Sequence, residues 1–60
     1  PRSLPNLAEM VAQCGHVDIA EALMAICDSP DWQALVPDDL QGGFAAACQA
    51  AWEAIDVHAP

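Results

Sequence analysis

Apolar residues recur along the chain at intervals of three and four positions, the spacing that places side chains on one face of an α-helix. No segment alternates between apolar and polar residues as a half-buried strand does. The pattern therefore predicts an all-α protein whose helices turn their apolar stripes toward a common core. The predicted stripes comprise Leu7, Met10, Val11 and Cys14; Ile19, Leu23, Ile26 and Cys27; and Leu40, Phe44, Ala47, Cys48, Ala51 and Ile55.

Polar residues and glycine mark where these helices begin and end. Tetrads starting at Asn6, Asp18 and Asp38 have the form of a capping box, in which a short polar side chain and a Glu or Gln three positions later cap each other's amides. Ser29, followed by proline, is a further start signal, and Gly15 is a stop signal because it tolerates positive φ. We expect helices at about 4–14, 18–28, 30–36 and 38–56.

Short connections between the predicted helices require antiparallel neighbours. We expect a compact antiparallel bundle of three main helices plus one short helix, forming a single small domain over residues 1–60. A first residue of Pro1 allows this domain to be a segment excised from a longer chain. A chain of 60 residues is close to the practical minimum for a stable core, so we do not expect an enclosed active site.

The charge balance narrows the classes of partner. Nine Asp and Glu residues against one Lys or Arg give a formal net charge of −8, and direct nucleic-acid binding is not expected because phosphate contacts rest on Lys and Arg. No apolar stretch approaches the length of about 18 residues that spans a membrane. Most of the acids are explained by helix capping and solubility. In an alternative function, the acids form the binding surface of an acidic inhibitor or antitoxin-like protein that occupies a basic nucleic-acid-binding site.

The three cysteines, Cys14, Cys27 and Cys48, match no disulfide framework. We expect reduced thiols and a cytoplasmic location. Together with His16 they could form a zinc site, but zinc ligands usually come in closely spaced pairs, and each cysteine lies on a predicted apolar stripe. We expect no metal and no cofactor, and we keep a metal or thiol sensor as a second alternative.

No motif for catalysis is present. The chain has no recognisable nucleophile–base set, and Gly42-Gly43 lacks the preceding strand and the lysine of a phosphate-binding loop. Arg2, as the only Lys or Arg, cannot give three thiols the electropositive setting that activates a cysteine. An enzyme is therefore not expected.

The last predicted helix carries a flank of small residues beside its apolar stripe, and such residues allow another helix to approach closely. The alternative is that the alanines serve only as helix formers facing water. Trp52 lies at the edge of the stripe, where a tryptophan can anchor a partner or complete the core. We expect a non-catalytic protein–protein interaction module of docking or adaptor type, which forms a homo-oligomer, docks on a helical or basic protein, or both. The predicted partner-binding residues are Gly43, Ala46, Ala50, Trp52, Glu53 and Ala54.

Overall fold

The computed structural model of the chain describes residues 3–60. Four α-helices and a 3-10 turn follow one another, and no strand occurs in this part of the chain. α1, α2 and α4 pack against each other, and the short α3 follows α2. The all-α bundle of three main helices and one short helix is therefore confirmed. The elements are α1 (Ser3–Gln13), α2 (Val17–Cys27), α3 (Pro30–Gln33), the 3-10 turn (Asp38–Leu40) and α4 (Gln41–His58).

The turn between α1 and α2 depends on one glycine. Gly15 has a φ of 92°, a left-handed conformation that glycine adopts without steric cost. Its amide donates to the Ala12 carbonyl at 2.9 Å, and the His16 amide donates to the Val11 carbonyl at 2.9 Å. These bonds satisfy carbonyls that the end of a helix leaves free. Gly15 is therefore confirmed as the stop signal of α1.

Two predicted capping boxes are wrong because the helices begin earlier. α1 begins at Ser3, so Asn6 lies inside the helix. An early start is compatible with Pro5, because its missing amide hydrogen falls among the first four that no helix satisfies. α2 begins at Val17 with His16 as an N-cap that makes no side-chain bond, and Asp18 lies in the first turn. There its carboxylate can interact with the helix dipole.

The region between α2 and α4 differs from the prediction in detail. Ser29 caps α3 as predicted, with its Oγ accepting from the Trp32 amide at 3.1 Å. α3 ends at Gln33 rather than near residue 36. The third capping box is wrong, because Gln41 Nε2 donates to the carbonyls of Val36 (3.0 Å) and Gln33 (3.3 Å) instead of capping the turn that begins at Asp38. α4 itself begins at Gln41 and extends to His58, beyond the predicted end at residue 56.

The predicted apolar stripe is correct on α4. Phe44, Ala51 and Ile55 are buried, and Cys48 packs against the core. Trp32 of α3 is half-buried and packs against the same core.

On α1 and α2 the predicted stripes are largely wrong. Leu7 and Met10 on α1 are exposed, as are Ile19 and Ile26 on α2. Of the two stripes, only Cys27 is fully buried, while Val11 and Leu23 pack at the edge of the core. On α1 small residues take their place, which lets the helices approach closely, and on α2 Met24 is fully buried beside Ala20 and Cys27. The buried residues of these helices are Pro5, Ala8 and Ala12 on α1 and Ala20, Met24 and Cys27 on α2.

Candidate functional site

The small-residue flank of α4 divides into two parts. Gly43 and Ala46 are exposed, and a side chain added at Gly43 would meet no atom within 4 Å. Ala50 and Ala54 are half-buried and line a shallow depression whose other wall is α1. α1 thus covers part of the flank within the chain, and Gly43 and Ala46 stay exposed. A contact between this flank and a second helix stays a prediction.

Trp52 lies on a different surface, an open groove between α2 and α4, and Glu53 lines both this groove and the depression beside α1. This α2–α4 groove has a volume of about 530 Å³. The Trp52 side chain is 40% exposed in it, and Gln49 Nε2 donates to Glu53 Oε1 at 3.4 Å, one turn apart on α4. The groove is lined by Val17, Glu21, Gln49, Trp52, Glu53, Ile55, Asp56 and Ala59.

The α2–α4 groove combines an apolar floor with an acidic rim. Ile55 is buried and Val17 is half-buried, whereas the rim residues Glu21, Glu53 and Asp56 are exposed. The only Lys or Arg of the chain is Arg2, which lies outside the described residues. Residues 3–60 therefore supply no Lys or Arg that could neutralise these carboxylates.

A third surface consists of large apolar residues of α1 and α2 that the core leaves out, while Leu35, Trp52 and Val57 are exposed elsewhere. Four residues of this surface are between 46% and 62% exposed: Leu7, Met10, Ile19 and Ile26. Within each helix they are spaced at three, four or seven positions, which makes them neighbours on one helix face. We call this surface the outer face, and it comprises Leu7, Met10, Val11, Cys14, Ile19, Leu23 and Ile26.

On α1 the outer face lies away from α4. The side of α1 that meets α4 carries Glu9 and Gln13, which line the depression shared with Ala50 and Ala54. On a helix of 3.6 residues per turn, Leu7 lies on the opposite flank of the buried alanines. The apolar flank of α1 is therefore turned away from α4.

The same holds for α2. Its side toward α4 carries Val17 and Glu21, which line the α2–α4 groove. Ile19 and Ile26 lie on the opposite flank of the buried residues Ala20 and Met24. Since α1 and α2 pack side by side, we infer from helix geometry that their apolar flanks adjoin on the side of the bundle away from α4.

The cysteines lie in three different environments. Cys14 is exposed at the end of α1, Cys27 is buried and Cys48 is half-buried. Burial raises the pKa of the Cys27 thiol to about 11, and the neighbouring Cys48 and Asp28 add to the effect. Burial, together with Asp28, also raises the pKa of Cys48. The thiolate, which is the reactive and metal-binding form, is therefore disfavoured at both positions.

Within residues 3–60, no three His, Cys, Asp or Glu side chains come together as a set of metal ligands. In the same part of the chain, no helix is long and apolar enough to cross a membrane.

Sequence reasoning places Trp52 at the edge of the α4 stripe, as a partner anchor or a core residue, and does not find the outer face. The periodicity assigns Leu7, Met10, Ile19 and Ile26 to the core, where the structure has Pro5, alanines and Met24 instead. A second signal was present in the sequence, because Pro5, Ala8 and Ala12 are also spaced as one helix face. Glu21 lines the same groove as Trp52 only because α2 packs on α4, and no local sequence pattern predicts that packing.

Comparison of the chain with protein-family models, with curated proteins and with solved structures gives no match, so these surfaces are interpreted from their own chemistry.

Proposed function

We propose that the protein is a non-catalytic protein–protein interaction module of docking or adaptor type, and that it associates with a second copy through the outer face. The observation that carries the proposal is the exposure of four large apolar side chains on one side of a 60-residue chain. Contiguous apolar surface of this kind is typical of sites of protein–protein interaction. The three free cysteines are typical of a reducing compartment, so the proposed location is the cytoplasm.

The charge distribution favours a second copy as the occupant of the outer face. None of its seven residues is charged, although the chain carries a formal net charge of −8. Two copies can therefore meet there without placing carboxylates opposite each other. A basic partner, by contrast, finds no opposite charge on this surface. A contact between identical faces about a two-fold axis is also the commonest form of homo-oligomer.

The energy available predicts a weak dimer. Complete burial of a Leu, Ile or Met side chain is favourable by about 1.5–3 kcal/mol. Burying the half-exposed side chains in a dimer can therefore contribute about 1 kcal/mol each to its stability. Four such residues on each copy give a gain on the order of 8 kcal/mol. Loss of translational and rotational freedom costs about 4–15 kcal/mol. We therefore expect association that depends on concentration rather than a permanent dimer.

The proposal is tested by placing charge on the outer face. Met10→Glu with Ile19→Glu changes two exposed helical positions, so we expect the fold to survive and the dimer to dissociate, because like charges would meet across the two-fold axis. The matched control is Leu35→Glu with Val57→Glu, the same chemical change at side chains that are 65% and 78% exposed outside the outer face. Sedimentation velocity over a concentration series measures association, and circular dichroism checks the helices.

Wild type and control should both dimerise with rising concentration, and the outer-face variant should stay monomeric. A wild type that is monomeric at every concentration contradicts the proposal. So does a dimer that survives the outer-face changes but is lost with Ala46→Gln and Ala50→Gln, since the contact would then lie on the α4 flank.

A further inference from the structure

We infer that the α2–α4 groove binds an arginine side chain from a basic segment of a partner protein. The guanidinium would stack on Trp52, and the carboxylates of the groove rim would neutralise its charge. This inference goes beyond self-association and is independent of it, because the groove and the outer face share no residue.

The groove presents an aromatic surface that is free to accept a ligand. Trp52 is 40% exposed, although tryptophan is largely buried on average in folded proteins. The face of an indole ring attracts a cation more strongly than that of any other aromatic side chain. The floor beside it, formed by Ile55 and Val17, can cover the apolar stem of a long side chain.

The charges around Trp52 select a cationic ligand over a neutral one. Asp56 lies one turn after Trp52 on α4, and Glu53 is held by a hydrogen bond from Gln49 at 3.4 Å. Glu21 faces them from α2 across the groove. Three carboxylates thus line the same groove as the exposed indole, with no Lys or Arg in residues 3–60 to compete for them. A positive partner side chain would supply the missing counter-charge.

The acidic lining continues past the end of this groove. An adjoining depression shares Val17 and Glu21 with it and also contains Asp18 and His58. A basic segment with a second cationic residue could therefore contact Asp18 as well as the rim of the groove. For this reason we commit to a basic helical segment rather than an isolated cation.

Arginine fits this arrangement better than lysine. Its planar guanidinium stacks on an aromatic face while its edge donates to carboxylates, whereas the lysine ammonium is a compact, strongly hydrated charge. The lysine form of the same segment should therefore bind more weakly, and the form in which glutamine replaces arginine should not bind measurably.

The probe is a blocked, alanine-based helical peptide with two arginines four positions apart, compared with its lysine and glutamine counterparts. The titration is followed by NMR on the two indole N–H resonances, assigned with Trp52→Phe. We expect the arginine peptide to shift the resonance of Trp52 and to leave that of Trp32 unchanged. A resonance of Trp52 that does not move, or a glutamine peptide that binds as well, overturns the inference.

A matched pair of variants separates the groove from general attraction to an acidic protein. Glu53→Gln with Asp56→Asn removes two charges from the groove, and Asp38→Asn with Asp39→Asn removes two charges from the 3-10 turn. We expect the groove variant to bind the arginine peptide about tenfold more weakly and the control variant to change binding less than about twofold. Equal weakening in both variants contradicts a specific site.

The outcome is distinguishable from that of the self-association test. Sedimentation of the protein alone reports on the outer face, and the peptide titration reports on the groove. A monomer that binds the arginine peptide supports this inference and contradicts the proposed self-association. A dimer that does not bind the peptide supports self-association and overturns this inference.

Discussion

Cys14, Cys27 and Cys48 have the same side chain in three different settings, and the settings determine their chemistry. The thiolate is the form that attacks thiol reagents, so a raised pKa and burial both slow the reaction. Cys27 is subject to both effects, with a pKa of about 11, and the half-buried Cys48 also has a raised pKa. Cys14 is exposed just beyond the last residue of α1.

In the native protein at about pH 8 we therefore expect Cys14 to react first with a thiol reagent and Cys27 last, since model cysteine thiols titrate near this pH. In denaturant all three should react at similar rates. Mass spectrometry of labelled peptides over time measures the order. Cys14→Ser, the control, should remove the fast phase and leave the two slow ones. Fast labelling of Cys27 in the folded state would contradict its place in the core.

At the scale of the elements, the main contacts are made by small residues. Ala8 and Ala12 of α1 and Ala51 of α4 are completely buried, and α1 makes extensive contacts with both α2 and α4. A helix that meets its neighbours through alanine approaches them closely and leaves no space for a longer side chain. The large residues of α1 then lie beside the contact rather than in it.

This packing predicts opposite outcomes for two substitutions on α1. Ala12→Leu should lower the free energy of unfolding by about 1–3 kcal/mol, the usual cost of overpacking a core. Leu7→Ala should change it by only about 0.5 kcal/mol, because Leu7 is 46% exposed and lies outside the core. Urea unfolding followed by circular dichroism measures both. If Leu7→Ala proves the more costly, then Leu7 belongs to the core and the stripe predicted from periodicity is right.

Helix ends and apolar stripes were predictable where the sequence contained only one local signal for them. The Ser29 cap, the Gly15 stop and the stripe on α4 each follow from the chemistry of a few neighbouring residues. The stripe on α1 was not predictable in this way, because two sets of residues share its spacing and hydrophobicity favours the larger ones. The N-cap of α2 was missed for a different reason, which lies in the turn before the helix. The Gly15 turn lets the His16 carbonyl accept the first helical bond, from the Ala20 amide at 3.0 Å.

The candidate site was predictable only in part. The position of Trp52 at the edge of the α4 stripe indicated partial exposure, and the structure shows it. Neither the pairing of Glu21 with this residue nor the combination of α1 and α2 into one outer face can be derived from periodicity. Both depend on which flank of each helix meets α4, and that is decided by packing.

At the scale of the whole molecule, negative charge acts against a compact fold. The formal net charge is −8, and residues 3–60 contain no Lys or Arg. The accessible surface is nevertheless 3824 Å², close to the value of about 3,700 Å² expected for a folded monomer of this mass. The apolar core therefore holds the bundle at ordinary compactness against the repulsion. The same charge affects every association in which the protein takes part.

The two proposed surfaces should respond to salt in opposite directions. Raising NaCl from about 0.1 M to about 1 M shortens the screening length from about 10 Å to about 3 Å. Two copies that meet through the uncharged outer face repel each other as whole molecules, so screening should strengthen the dimer. A basic peptide in the α2–α4 groove is held by attraction between opposite charges, so screening should weaken its binding. Sedimentation velocity and peptide titration at both salt concentrations test this expectation. A dimer that weakens with salt alongside the peptide complex would mean that polar contacts hold both, and the assignment of the outer face as the dimer contact would be wrong.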